Sequence, residues 1–307
     1  GLVWEDMNKI KSERVAGSGG IIVILGFTLG VLAYIFLKTF YFNDSVNVVE
    51  IFALTTSMLM LAFIGLIDDL LGWQHGGLSK RFRLLMCIFA AVPLVVINAG
   101  NSNVSIPFID GTNLGLLYSL IFIPLGIVGA STTFNFLAGF NGLEAGQGVL
   151  IISALSIVAY FTGNSWLAMV GICMIVALLA FWIFNRVPAK VFPVDVMTYA
   201  IGGLIAIMAV LGNMEKIAIF FFVPYIFEVI LKCRGRLKKY SFGKPNEDGS
   251  LEMPYERIYG LEHFSIWALK KIKSSGKAYE NDVVYFIYFI QVLFIVAGFL
   301  MYWFKLF

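Results

Sequence analysis

Two adjacent aspartates, Asp68 and Asp69, close a run of seventeen uncharged residues in the string Ile64-Gly65-Leu66-Ile67-Asp68-Asp69. Carboxylates at the edge of so apolar a segment are costly unless they serve an ion, a proton or a partner charge. Adjacent helical residues point about 100° apart, so the pair should face different neighbours. At the C-terminal end of a helix the macrodipole disfavours both, and magnesium or a nearby Lys or Arg would relieve them. A plain polar helix end is the alternative. A second stretch, Thr132 to Gly148, reads as a loop yet carries one charge, Glu144. It holds four glycines in ten residues, which allow a ligand to approach the backbone. Asn135 and Asn141 offer amide groups that can coordinate a cation or read a base edge, or can simply cap helices. Asp195 opens a further apolar run after Pro188-Ala189-Lys190-Val191-Phe192-Pro193-Val194, where an N-cap role would also suffice. Cations flank these positions: Lys80, Arg81 and Arg83, then Arg186 and Lys190, and Arg257 farther on. His75, expected at the surface, and His263 have no second His or Cys at ligand spacing, and the three cysteines suggest neither a disulfide framework nor a zinc site.

The elements that must hold these side chains are membrane helices. Of the 307 residues 60% are hydrophobic and only 13% charged, and the mean hydropathy is +0.87. That composition excludes a soluble globule, which carries roughly a quarter charged residues. A helix needs about 20 apolar residues to cross a bilayer, and backbone in lipid must bond internally. We therefore predict an all-α, polytopic fold with nine spans, near 20–38, 49–68, 84–100, 114–131, 147–162, 165–184, 196–212, 216–232 and 283–304. The fifth and sixth are separated by a turn at Thr162-Gly163-Asn164. The start of the chain reads as a polar loop and not as a signal peptide. Alternating spans put 1–19, 69–83, 132–146, 185–195 and 233–282 on one side, with 19 of the 22 Lys and Arg when Lys232 is included. By the positive-inside rule that side is cytoplasmic, leaving the amino terminus inside and the carboxyl terminus outside. The chain reads as one membrane domain, 1–307, with 233–282 as its large cytoplasmic loop. A formal net charge of +3 gives no argument for nucleic acid.

Asp68, Asp69, Asn135, Asn141 and Asp195 thus come from three loops on one face. Carboxylates and an amide oxygen gathered there suit a magnesium ion, which binds through one or two carboxylates plus substrate phosphates.

These motifs resemble the polyprenyl-phosphate N-acetylhexosamine-1-phosphate transferases, an integral membrane family. Asp68-Asp69 matches the family's paired aspartates. Asn135-Phe136-Leu137-Ala138-Gly139-Phe140-Asn141-Gly142-Leu143-Glu144-Ala145-Gly146-Gln147 is similar to the eukaryotic and archaeal branch, which makes dolichyl-diphosphate GlcNAc from UDP-GlcNAc; bacterial relatives carry an aspartate-rich version. Pro188 to Phe192 with Asp195 resembles the next block, and Pro254 to Arg257 the start of the sugar-reading loop. The similarity covers nearly the whole chain in the same order. It implies transfer of GlcNAc-1-phosphate from UDP-GlcNAc to a polyprenyl or dolichyl phosphate, with magnesium, or manganese in its place, held by Asn135 and Asp195. It further implies that Gly139, Asn141 and Phe192 hold the uracil, with Glu144 also on the substrate side. Asp68 and Asp69 would handle the lipid phosphate, Arg83 the diphosphate, and Arg257 the amino sugar. Three positions depart from the family: Val194-Asp195-Val196 replaces Gly-Asp-Thr, Glu256-Arg257 replaces His-Arg, and Gly17 stands where relatives often have glutamate. Family members also place one more span before Asp6-Met7-Asn8-Lys9, ten in all, so either the chain is cut short before the first family helix or this member lacks it. The resemblance places the protein in the cell membrane of an archaeon or bacterium, or in the ER membrane of a eukaryote, and allows a homodimer.

Another UDP-amino sugar with undecaprenyl phosphate would suit the same chemistry. An ion-coupled transporter is the rival class, but it wants its carboxylates near the bilayer midplane, whereas Asp68, Asp69 and Asp195 fall at span ends.

Overall fold

The computed structural model describes residues 2–11, 13–106 and 109–303, with backbone alone for 73–75, 104–106 and 109–112. The side chain of His75 and the last residue of the ninth span lie outside the described residues. The described residues form twelve α-helices: α1 (Gly20–Phe36), α2 (Val48–His75), α3 (Lys80–Ala90), α4 (Val92–Val96), α5 (Ile123–Phe134), α6 (Leu143–Phe161), α7 (Ser165–Asn185), α8 (Val194–Leu211), α9 (Glu215–Phe221), α10 (Val223–Arg234), α11 (Leu261–Ile272) and α12 (Glu280–Trp303). Single π-helical segments extend α1 through Leu37–Tyr41 and precede α5 at Tyr118–Phe122.

Six of these helices are long and apolar enough to cross a membrane, and Tyr118–Phe134 is a seventh, shorter apolar helix. The other two expected spans are not continuous. The chain over 84–100 forms α3 and α4 with Pro93 at the start of the second, and 216–232 forms α9 and α10 with Pro224 likewise placed. Proline lacks the amide that would continue the preceding helix, so each segment bends there. Among the described residues three short antiparallel strand pairs also appear where none was expected: β1 (Val3–Glu5) with β2 (Arg14–Ala16), β3 (Asn103–Ile106) with β4 (Ile109–Asn113), and β5 (Lys244–Pro245) with β6 (Leu251–Glu252). All lie between or before the spans, where backbone groups need not bond within one helix.

Packing separates two kinds of helix. On α1, Ile22, Leu25, Leu29, Leu32 and Phe36 form an exposed stripe at helical spacing, while Val23, Ile24, Phe27 and Val31 are buried opposite. An apolar outward stripe backed by an apolar inward one is what a lipid-facing helix presents. By contrast α8 is buried on all sides from Val196 to Val210, and it packs against α1, α2, α5, α6 and α9. Close approach at α8 depends on absent side chains. A Cβ on Gly65 would stand 2.4 Å from the Asp195 carbonyl oxygen, and one on Gly202 2.4 Å from that of Ala130. These contacts fix where the first turn of α8 sits relative to α2 and α5.

Candidate active site

Three helix ends meet at the site. Asp68 and Asp69 lie about two turns before the end of α2, Asn135 caps the C-terminus of α5, and Asp195 is the second residue of α8. Because α2 continues to His75, the aspartates escape the unfavourable helix end that the sequence suggested. Asp69 instead accepts from the amides of Asp195 at 2.9 Å and Val196 at 3.2 Å. It thereby closes the N-terminus of α8, where unpaired amides and the dipole favour an anion. Both its oxygens are taken up in this way, which makes Asp69 a positioning residue.

Asp68 points elsewhere, as adjacent helical residues must. One oxygen accepts from the Leu78 amide at 2.6 Å, and the other pairs with the Arg83 guanidinium at 2.5 Å. Arg83 also reaches to 3.6 Å from the Asp195 carboxylate. The carboxyl groups of Asp68 and Asp195 thus face each other across one guanidinium. Such a juxtaposition needs a proton or a cation to relieve it. One turn past Asp195, the Thr198 hydroxyl donates to Asn135 Oδ1 at 2.9 Å. Two carboxylates, Asp68 and Asp195, beside one arginine, with the oriented amide oxygen of Asn135 near them, form a hard-oxygen set that fits a divalent cation. Among the described residues no three His, Cys, Asp or Glu side chains form a metal cage, so substrate oxygens would have to complete the shell.

Cavities flank this cluster. One of about 260 Å³ is lined by Gly139, Asn141, Glu144 and Phe192 together with Asn135 and Asp195. A second, of about 320 Å³, is lined by Lys80, Arg83, Tyr199, Lys232 and Lys239, and again by Asn135. Asn135 therefore stands on the boundary between an aromatic and amide-bearing pocket and a cationic one. A third, strongly apolar groove of about 470 Å³ runs between α5, α8 and α9–α10, along Gly126, Gly129, Ala206 and Ala218 to Thr133 and Val229. Its last two residues neighbour Thr132 and Lys232 of the cationic pocket.

The first pocket is built by segments distant in the chain. Phe192 donates its amide to the Ala16 carbonyl at 2.8 Å and accepts from the Gly19 amide at 2.9 Å, so the N-terminal segment fixes its main chain. Gly139 has a φ of +108°, and a Cβ there would meet the Phe242 ring at 2.7 Å. Its amide donates to Glu144 at 2.8 Å. Glu144, expected on the substrate side, thus shapes the loop as well as lining the pocket. Asn141 donates its amide to Glu280 at 2.9 Å and its side-chain NH2 to Asp6 at 2.9 Å, while Asn8 donates to the Gly139 carbonyl at 2.9 Å. At Gly17 the Trp4 ring fills the space, 2.2 Å from where a Cβ would stand, so a glutamate there would displace the indole. Arg257 is exposed and lines neither pocket.

Sequence reasoning did not single out Asp6, Asn8, Thr198, Tyr199, Lys239 or Glu280. Thr198 lies one turn from Asp195, a spacing that could have exposed it. Asp6, Asn8 and Glu280 lie in or beside polar segments without periodicity, and nothing local marks them.

Residues 51–213 match the family described as glycosyl transferase family 4. A protein of Saccharolobus solfataricus is 35% identical over 97% of this chain and 87% of its own length; its provisional name is UDP-N-acetylglucosamine–dolichyl-phosphate N-acetylglucosaminephosphotransferase. The protein of that name from Dictyostelium discoideum is 26% identical over 73% of this chain and 63% of its own. A phospho-N-acetylmuramoyl-pentapeptide-transferase of Clostridium perfringens is 30% identical over 57% of this chain and 56% of its own.

Proposed function

The chain belongs to glycosyl transferase family 4, and from that premise we propose that it transfers N-acetylglucosamine 1-phosphate from UDP-GlcNAc to a polyprenyl phosphate of the dolichyl type, releasing UMP. The observation that carries this reading is the place of Asn135 and Asp195 in the wall of the aromatic pocket, with Asn135 also facing the cationic one. A nucleotide fits the first pocket and a lipid phosphate the second, so the diphosphate would lie between them.

In the transfer, an oxygen of the lipid phosphate forms a bond to the β-phosphorus while the bond from that phosphorus to the bridging oxygen breaks, and the oxygen leaves with UMP. A phosphate monoester with a second pKa of about 6 is largely dianionic near neutrality, so no strong base is needed. Asp68 either takes the remaining proton or orients the attacking group through Arg83. Lys80, Lys232 and Lys239 offset the charge of the incoming phosphate, and Arg83 that of the diphosphate. Asp69 keeps the first turn of α8 in register, and with it Asp195. Asn135 and Asp195 would hold magnesium, or manganese in its place, and when bound the ion neutralises developing charge on the leaving group. Phe192, Gly139 and Asn141 would hold the uracil. The loop that carries Arg257 would have to close over the sugar before that side chain could touch it. The isoprenoid chain would lie in the apolar groove and remain in the bilayer. The cation bias supports a cytoplasmic position for this site.

The test is UMP release by the purified protein in lipid nanodiscs with a polyprenyl phosphate. UDP-GlcNAc should exceed UDP-glucose and UDP-GalNAc as donor, and a chelator should abolish release until magnesium is returned. Absence of UMP release from every nucleotide sugar would sink the proposal.

A further inference from the structure

Asn141 is held at two points. Its backbone amide donates to Glu280 Oε1 at 2.9 Å, which fixes the main chain, and its side-chain nitrogen donates to Asp6 Oδ2 at 2.9 Å. With the backbone pinned, the freedom that matters at the end of this side chain is a half-turn that exchanges its oxygen and its NH2. An ionised carboxylate only accepts hydrogen bonds, so Asp6 decides that exchange. The NH2 must face Asp6, which leaves Oδ1 for the pocket that Asn141 lines. Asp6 is itself held: it is 5% exposed, and Oδ1 accepts from the Asn8 amide at 3.1 Å. Asn8 in turn bonds the Gly139 carbonyl and accepts from the Gly243 amide at 3.0 Å. The polarity that Asn141 shows to a ligand is therefore set by a residue of the N-terminal segment 135 positions away.

Uracil carries an N–H at ring position 3, whereas cytosine carries a lone pair there. We infer that Asp6 is a specificity-determining residue, which gives this site its preference for uracil over cytosine nucleotides by turning the Asn141 oxygen toward the base. This rests on the reading that a UDP-sugar occupies the pocket. An oxygen at that place accepts from uracil and repels cytosine, while a flipped amide would do the reverse.

Both Asp6 oxygens act as acceptors, so Asp6→Asn gives a directed outcome. The new side chain keeps its oxygen on the Asn8 amide and presents NH2 to Asn141, which must then flip. The experiment measures equilibrium binding of UMP and CMP to the purified full chain in nanodiscs. Wild type should prefer UMP, and Asp6→Asn should lower the UMP-over-CMP preference by about tenfold or more, the scale of one exchanged hydrogen bond. In the double variant Asp6→Asn with Asn141→Asp, the amide at 6 donates to the carboxylate at 141, an acceptor again faces the base, and the preference should return even if both affinities fall. Asp6→Ala, which leaves the amide free to turn, should fall between wild type and Asp6→Asn. A merely structural role would weaken both nucleotides alike. Asp6→Asn or Asp6→Ala binding UMP with the wild-type preference would overturn the inference, as would a double variant that recovers nothing. Wild type that binds neither nucleotide would instead count against the functional reading itself.

Discussion

Val194 shows how far a single residue is set by its neighbours. It adopts a φ of +49° at the first position of α8, a left-handed conformation that a β-branched side chain occupies only under strain of about 1–3 kcal/mol. Glycine adopts it freely. Val194→Gly should therefore gain about 1 kcal/mol after the entropy cost of glycine in the unfolded chain. Thermal unfolding in nanodiscs checks this: a higher midpoint is expected for glycine, and no gain for Val194→Ile. At the next residue the expectation concerns chemistry. Asp195→Ala and Asn135→Ala should weaken the magnesium dependence of UMP release. A wild-type magnesium titration in both variants would remove them from the coordination shell. Asp69 differs from its neighbour in kind, since backbone amides occupy its carboxylate. The adjacent pair was plain in the sequence, but the division of labour within it was not, because the amides that claim Asp69 lie more than a hundred residues away.

Among the elements, α11 carries a pH dependence that the structure fixes. It buries His263 completely, and burial, together with the charge of Lys232, pushes the imidazole down to about 4. A group whose folded pKa is depressed in this way is neutral in the fold and unstrained above about 6.5. Stability is then lost as pH falls from there toward 4. By pH 5 the loss amounts to about 2 kcal/mol. Glu262, also buried and beside Glu228, is pushed up to about 8 and so has the opposite slope: its share is lost as pH rises from about 4.5 toward 8. The difference between wild type and His263→Gln isolates the histidine. The variant should lose less stability between pH 7 and pH 5, read as a smaller drop in thermal midpoint; equal drops would show that the imidazole is hydrated in the fold. Element boundaries were legible wherever apolar runs ended at glycine, as between α6 and α7. They were less legible where proline bent a run that composition read as one span.

For the whole molecule, the apolar groove and the cationic pocket meet where α5 and α10 approach, at Thr132 and Thr133 on one helix and Val229 and Lys232 on the other. If the lipid chain lies there, Gly129→Leu should raise the KM for long polyprenyl phosphates several-fold while the KM for UDP-GlcNAc stays unchanged. A parallel rise in both constants would instead mean a general distortion. The membrane setting, most of the helices and the gathering of Asp68, Asn135 and Asp195 on one face followed from the chain alone. Hydrophobic runs of spanning length, interrupted by charge on alternate sides, permit few arrangements in lipid. The partners inside that face were another matter. The capping of α8 by Asp69, the main chain of Phe192 held by Ala16 and Gly19, and the amide of Asn141 turned by Asp6 all join residues far apart in the sequence. A hydrogen bond depends on distances of a few tenths of an ångström, whereas a pattern of polar and apolar residues fixes position only to within a helical turn. The pattern of the chain therefore gathered these residues at one face of the helices, and only the packed structure settled which atom each one meets.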